Sequence, residues 1–253
     1  MKVIWHGTAS VEMISSKGDR ILFDPFVPLK GSDVPVKIED FDGFDEILVT
    51  HGHFDHIISL PEIVRRNPGV RIRCTETPYK TLLKKGVPKE NLILIRHGDT
   101  IRIGSFTIRA IHGKHAVLPK ASVSRVSYIL RSPAIGNVLF FLRQHHICKE
   151  NGETVFYEVE CDGKRICVMG SLNLREDTEY PTEADLLILP YNGWEDNFPP
   201  AVQTVERLKP KRILLDHYDD TFPPLTMPLD LSPILEKYKG TVSAMELGKS
   251  EEI

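Results

Sequence analysis

The 253-residue sequence predicts an α+β protein in which two stacked β-sheets carry helices on their outer faces. Two observations carry that expectation. Strand-like runs are followed by helix signals, and the same order returns in the second half of the chain. The composition, 41% hydrophobic and 26% charged, is that of a packed globular chain rather than a disordered one. At this length one domain over residues 1–253 is expected, with a core large enough to need no disulfide or metal staple.

Taken in order, residues 2–5, 11–15 and 20–23 alternate or run apolar between glycine-containing turns, which predicts a short meander. Residues 46–50 form an apolar strand running into His51. Ser59-Leu60-Pro61-Glu62 has the form of a capping box with proline in the first turn, and Thr77-Pro78 opens a second helix that Gly86 closes. Residues 91–95, 100–103 and 105–111 read as further strands. In the second half, residues 126–130, 154–159, 165–169 and 185–189 read as strands. Pro199-Pro200 starts a helix ended by Lys209-Pro210, residues 211–215 return as a strand, and Ser232-Pro233 caps a last helix. Residues 131–152, with Gly136-Asn137 and His145-His146, fit neither pattern and are expected to form an inserted flap or hairpin near the active site.

The charge balance, 32 basic against 35 acidic residues for a net charge of −3, lacks the basic footprint of a nucleic-acid binder, so no nucleic-acid partner is expected. No apolar run reaches the length of a membrane span, so no membrane partner is expected either. The N-terminus has no secretory pattern, and Cys74, Cys148, Cys161 and Cys167 show no Cys-x-x-Cys spacing. Together these predict reduced thiols in a cytoplasmic protein. The oligomeric state is not legible in the sequence.

The informative segment is His51-Gly52-His53-Phe54-Asp55-His56. In an extended segment residues i and i+2 point the same way, so His51 and His53 can grip one cation. Asp55 and His56, past the bend, face a second position nearby. Neutral imidazole and carboxylate are ligands for zinc and its neighbours.

This loop resembles the hallmark of the metallo-β-lactamase superfamily, and with the Ile21-Leu22-Phe23-Asp24-Pro25 run it is similar to the branch that includes ascorbate-6-phosphate lactonases and other metal-dependent hydrolases. The resemblance implies a four-layer αβ/βα sandwich with metal ions at the edge of the two sheets. It implies a third histidine for the first metal, for which His112 is the first candidate and His115 the substitute. It also implies that His217, at the end of a late strand, joins Asp55 and His56 on a second metal. Asp24 matches a carboxylate that supports the site from behind, and Asn192 and Trp194 lie in a loop placed near substrate. The family's bridging aspartate is replaced: Ser171 stands in its position after Gly170. A hydroxyl offsets poorly the repulsion of two dications ~3.5–4 Å apart. Either one ion binds tightly, or another acid (Asp216, Asp219, Asp220, Glu176 or Asp177) compensates.

The expected chemistry is hydrolysis by a metal-activated water, with zinc as the first choice and manganese or iron(II) as alternatives, at one or two ions per chain. Asp55 is the expected catalytic acid–base group where it is not held by a second ion. The expected substrate is a small molecule carrying a lactone, ester, amide or phosphodiester bond. Lys114, Lys120, Arg125 and Arg143 would favour an anionic one. The competing expectations are a phosphodiesterase for nucleotides or nucleic acid, and a non-catalytic binding protein in which Ser171 marks a lost site.

Overall fold

The computed structural model describes residues 1–116, 123–192, 197–226 and 229–253, with the backbone only for 123–125. Its first sheet is built from β1 (Lys2–Trp5), β2 (Val11–Ile14), β3 (Arg20–Phe23) and β4 (Glu46–Leu48). The chain then forms α1 (Phe54–Ile57), α2 (Leu60–Arg66), β5 (Arg71–Cys74), α3 (Glu76–Lys84) and β6 (Leu92–Leu94). The second sheet opens with β7 (Thr100–Ile103) and β8 (Phe106–His112), followed by α4 (Val123–Arg131) and α5 (Gly136–Ile147). It continues through β9 (Val155–Cys161), β10 (Lys164–Met169), β11 (Leu186–Pro190), α6 (Phe198–Leu208), β12 (Ile213–Asp216), α7 (Ser232–Lys237) and β13 (Val242–Ala244). The last strand, β14 (Ser250–Glu252), returns to the first sheet beside β1.

The two seven-stranded sheets share one plan. In the first, with order β14-β1-β2-β3-β4-β5-β6, an antiparallel meander through β3 gives way to parallel β4, β5 and β6. In the second, with order β13-β12-β11-β10-β9-β8-β7, antiparallel strands from β7 to β10 give way to parallel β11, β12 and β13. Parallel neighbours need crossovers, which helices supply on the outer faces.

Strand alternation divides the core into three apolar layers. Val3, Trp5, Met13, Phe23, Phe106 and Tyr157 pack in the cluster shared by the two sheets. Leu22, Ile47 and Val49 point the other way, into the layer covered by Phe54, Leu60 and Ile63 of the first helices. Leu187, Leu189 and Leu215 meet Ala201, Val205 and Leu208 of α6. The result is the four-layer αβ/βα sandwich expected from the sequence.

Two local readings are corrected. Residues 126–130, read as a strand, lie in α4, and residues 131–152 hold the whole of α5, a helix where a hairpin was one of the two expectations. Helical spacing prevails here because Phe140, Gln144 and Cys148, four residues apart, turn one face of α5 inward. Ser59 does not close a capping box. The preceding helix ends two residues earlier, at Ile57, and the Ser59 hydroxyl instead accepts the Val27 N–H at 2.9 Å. Three strands, β5, β13 and β14, carry patterns the sequence reading passed over, β5 because charged Arg71 and Arg73 interrupt it. Those arginines reach the buried Glu46 carboxylate on β4.

One buried hydrogen bond ties the sheets together beside the motif loop. The Tyr157 hydroxyl on β9, fully buried, donates at 2.8 Å to the Val49 carbonyl two residues before His51. We expect Tyr157→Phe, which strands that carbonyl, to destabilise the protein by about 1–3 kcal/mol. Urea unfolding reads this as a lower midpoint, and an unchanged midpoint would mean that the bond contributes nothing.

Candidate metal centre

The motif loop leaves β4 at a place where both sheets hold it. Val49 N–H donates to Arg73 C=O in the first sheet, and Thr50 C=O accepts Val155 N–H from the second. His51 follows, His53 precedes the first turn of α1, and Asp55 and His56 lie on that turn. A glycine between the first two histidines is dictated by packing. A Cβ on Gly52 would lie 2.0 Å from the Lys149 carbonyl oxygen. Gly170 is held small in the same way, since its Cβ would meet the Thr50 side chain at 2.6 Å.

Two donor clusters result, each with its ligand atoms within 4.8 Å of one another: His51, His53 and His115, and Asp55, His56 and His217. In the first, His51 Nε2 lies 3.2 Å from His53 Nδ1. His115 Nδ1 donates to the Ala116 carbonyl at 2.7 Å, which leaves Nε2 as its lone-pair nitrogen. Burial, reinforced by mutual repulsion among the imidazoles, holds His51 well below its usual range and lowers His53 to about 3. Burial also lowers His115. All three therefore present neutral, unprotonated nitrogens near neutral pH. A largely buried set of nitrogen lone pairs facing one another fits a borderline transition-metal ion.

The second cluster is ionised. Asp55 Oδ2 lies 3.5 Å from His56 Nε2 and 3.3 Å from His217 Nε2. Burial alone would raise Asp55, but His56 and His217 hold it well below the usual carboxylate range. Burial works against His56 too, and the Asp24 and Asp55 carboxylates outweigh it, raising its pKa to about 9. His217 Nδ1 is buried without a hydrogen-bond partner.

Asp24 stands behind both clusters, fully buried. Its Oδ2 accepts the Thr50 hydroxyl at 2.5 Å and faces His56 Nδ1 at 2.9 Å. Because the Thr50 hydroxyl gives its proton to Asp24, its oxygen accepts from His51 Nδ1 at 3.1 Å, and His51 Nε2 is left free for a cation. Asp24, Thr8 and His217 all have left-handed backbones (φ 44°, 49° and 62°), and the Thr8 carbonyl holds His217 N–H at 2.9 Å. Such conformations persist where surrounding bonds over-determine them.

Of the residues singled out in the sequence, His51, His53, Asp55, His56 and His217 converge. His112 does not. It sits on β8, stacked on His97 at 3.9 Å, and donates from Nε2 to the Gly152 carbonyl. The chain has to run on through Gly113 and Lys114 before it turns His115 into the cluster. Ser171 lines the pocket and its hydroxyl accepts the Ala116 N–H at 3.0 Å, so it braces the His115 loop. Neither donor cluster includes Asp216, Asp219, Asp220, Glu176 or Asp177. Burial pushes Asp216 up to about 7, and Asp177 is paired with Arg175 at the surface. Asn192 lines the pocket with its Oδ1 buried and unpartnered. Trp194 and Lys120 lie outside the described residues, as does the Arg125 side chain. Lys114 and Arg143 do not line the pocket. The sequence reading missed Phe141 and His145, which α5 brings to the rim one turn apart, and Phe222 and Thr226, which follow β12. Only helical spacing in residues 138–145 carried any signal of the first pair.

A family model described as a β-lactamase superfamily domain matches residues 19–218. Among curated relatives, a UPF0173 metal-dependent hydrolase of Thermococcus onnurineus is 31% identical over 231 residues, covering 89% of this chain and 87% of the relative. A second, from Koribacter versatilis, is 31% identical over 116 residues, and there the match spans only 48% of the relative. Among solved structures, Igni18, a metallo hydrolase of Ignicoccus hospitalis, superposes with a TM-score of 0.63 at 19% identity, covering 100% of this chain and 98% of the other. The match to the family runs from before β3 to just beyond His217 and takes in both donor clusters, and the chain is accordingly a metal-dependent hydrolase of the metallo-β-lactamase superfamily.

Proposed function

We propose that the protein hydrolyses a carbonyl-centred bond, a lactone, ester or amide, in a small molecule. In this reading His51, His53 and His115 hold one zinc ion tightly, and Asp55, His56 and His217 hold a second more weakly. The observation that carries the reading is the cluster of three neutral imidazoles opening into a pocket walled by Phe54, Phe141, Phe222 and Pro190. No Lys or Arg lines that pocket among the described residues, which favours a carbonyl substrate over a phosphodiester. Lactones come first among these, in keeping with the resemblance to the lactonase branch. Four buried, unpaired cysteines support a reducing compartment, the cytoplasm.

When bound, zinc supplies a water acidic enough to attack near neutral pH and a Lewis acid for the carbonyl oxygen. The chain's own groups do the rest. Where the second ion does not hold it, Asp55, kept ionised by His56 and His217, is the group that can take a proton at Oδ2. Asn192 presents an unpartnered buried amide oxygen to the substrate. The phenylalanine walls exclude bulk water and pack the apolar part of the substrate. Ser171, a neutral hydroxyl lining the pocket, adds no negative charge to the site, in keeping with a weaker second ion.

Three outcomes test this. His115→Ala should remove the tight zinc and lower turnover of lactone and ester substrates by at least about a hundredfold, whereas His112→Ala should keep both. Elemental analysis together with a substrate panel distinguishes the two, and the opposite pattern would return His112 to the site. Ser171→Asp should raise bound zinc toward two per chain and tighten the second ion.

The third is a pH dependence of the metal-free protein. His53 titrates near 3 when folded and near 6.5 when unfolded, so the unfolded chain binds more protons below about 6.5 and stability falls as the pH drops. His56 titrates near 9 when folded, so its contribution is complete below about 6.5 and is lost as the pH rises through 9. Chelator-treated protein should therefore melt highest between these limits, near pH 6.5 to 7. In His56→Gln the alkaline decline should shrink, leaving the smaller part that His217 supplies, and an unchanged decline would dismiss the Asp24–His56–Asp55 arrangement as its source.

A further inference from the structure

Seven of the nine large apolar side chains exposed among the described residues lie on or between α4 and α5. Leu139 is 76% exposed, Leu130 69% and Leu142 58%. Ile135, Leu139 and Leu142 share one side of α5 by their spacing of four and three. Another side turns Phe141 and His145 toward the pocket, and a third is buried through Gln144 and Cys148. Leaving so much leucine in water is unusual for a surface without a partner.

Charge indicates which partner. Between Asp99 and Glu150 the sequence has eight lysines and arginines and no acid, within a chain of net charge −3. Arg131, Arg143 and Lys149 are exposed and enter no ion pair among the described residues. Elsewhere exposed arginines such as Arg66, Arg71 and Arg212 are matched to carboxylates. A second copy docked face to face would set these unmatched cations against their own kind. A groove-binding helix would carry one i, i+3, i+4, i+7 stripe, whereas these apolar groups spread over both helices and the link between them.

We propose that α4 and α5 dock the protein on an anionic lipid bilayer. Leu130, Leu139 and Leu142 enter the interface, and Arg131, Arg143 and Lys149 meet the head groups. Apolar groups lying in the interface and basic groups facing anionic lipid are the two components of peripheral membrane binding. The expectation of no membrane partner rested on the lack of a spanning segment, and a pair of helices lying in the surface needs none. Because Phe141 shares α5 with Leu139 and Leu142, docking brings the pocket mouth to the lipid surface. The inference holds whichever bond the site cleaves.

The test is flotation of the full chain with vesicles of phosphatidylcholine containing about one quarter phosphatidylglycerol, against pure phosphatidylcholine. We expect binding to the anionic vesicles only, weakening at about 0.5 M salt. Leu139→Ser/Leu142→Ser, at exposed positions, should lower partitioning at least about tenfold with an unchanged melting temperature. Arg131→Glu/Arg143→Glu should lower it on anionic vesicles. The proposal fails if the wild type stays unbound, or if the leucine variant binds equally well. It also fails if sedimentation shows a dimer that the leucine variant breaks, which would assign the face to a second copy. Capture by soluble polyglutamate in preference to vesicles would overturn it in favour of an acidic protein partner.

Discussion

The Asp24 carboxylate, buried at the end of β3, is the contact on which the rest of the site depends. It is fully buried, its Oδ1 accepts the Thr50 backbone N–H at 2.8 Å, and its Oδ2 meets both the Thr50 hydroxyl and His56 Nδ1. A buried carboxylate demands such partners, and each one it takes sets the orientation of a proposed ligand. Through Thr50 it settles which nitrogen of His51 carries the proton, and directly it does the same for His56. Bonds from one acid thereby aim one imidazole of each cluster.

The two clusters sit side by side with opposite electrostatics. Burial and mutual repulsion keep His51, His53 and His115 neutral, whereas Asp24 and Asp55 keep His56 charged in the absence of a cation. A cation entering the first cluster displaces no proton, and one entering the second has to displace the proton of His56. That difference sets the two proposed sites apart.

Helices α4 and α5 give the pocket a second character. α5 contributes Phe141 and His145 to the rim of a site whose floor is polar, and its exposed side is left apolar and basic. The loop that follows it presses the Lys149 carbonyl against Gly52, so this segment also shapes the motif loop. The end of α5 and the motif loop are thus packed against each other.

Most of the architecture was legible in the sequence, because strand alternation and the histidine-rich loop are local patterns. Residues 2–5, 20–23, 100–103 and 165–169 became strands, and His51, His53, Asp55 and His56 lie close enough in sequence that a strand end and one helical turn suffice to gather them. The helical character of residues 126–147 was not legible, since a glycine–asparagine pair beside an apolar run reads equally as a hairpin until Phe140, Gln144 and Cys148 find a core to face. Nor was the choice between His112 and His115. Both follow β8, and only the path of the loop past Thr154 and Ser171 decides which imidazole turns inward. The sequence by itself determined which residue types could hold a cation. Tertiary structure decided which of them meet, because the meeting depends on the packing of two sheets whose strands lie a hundred residues apart.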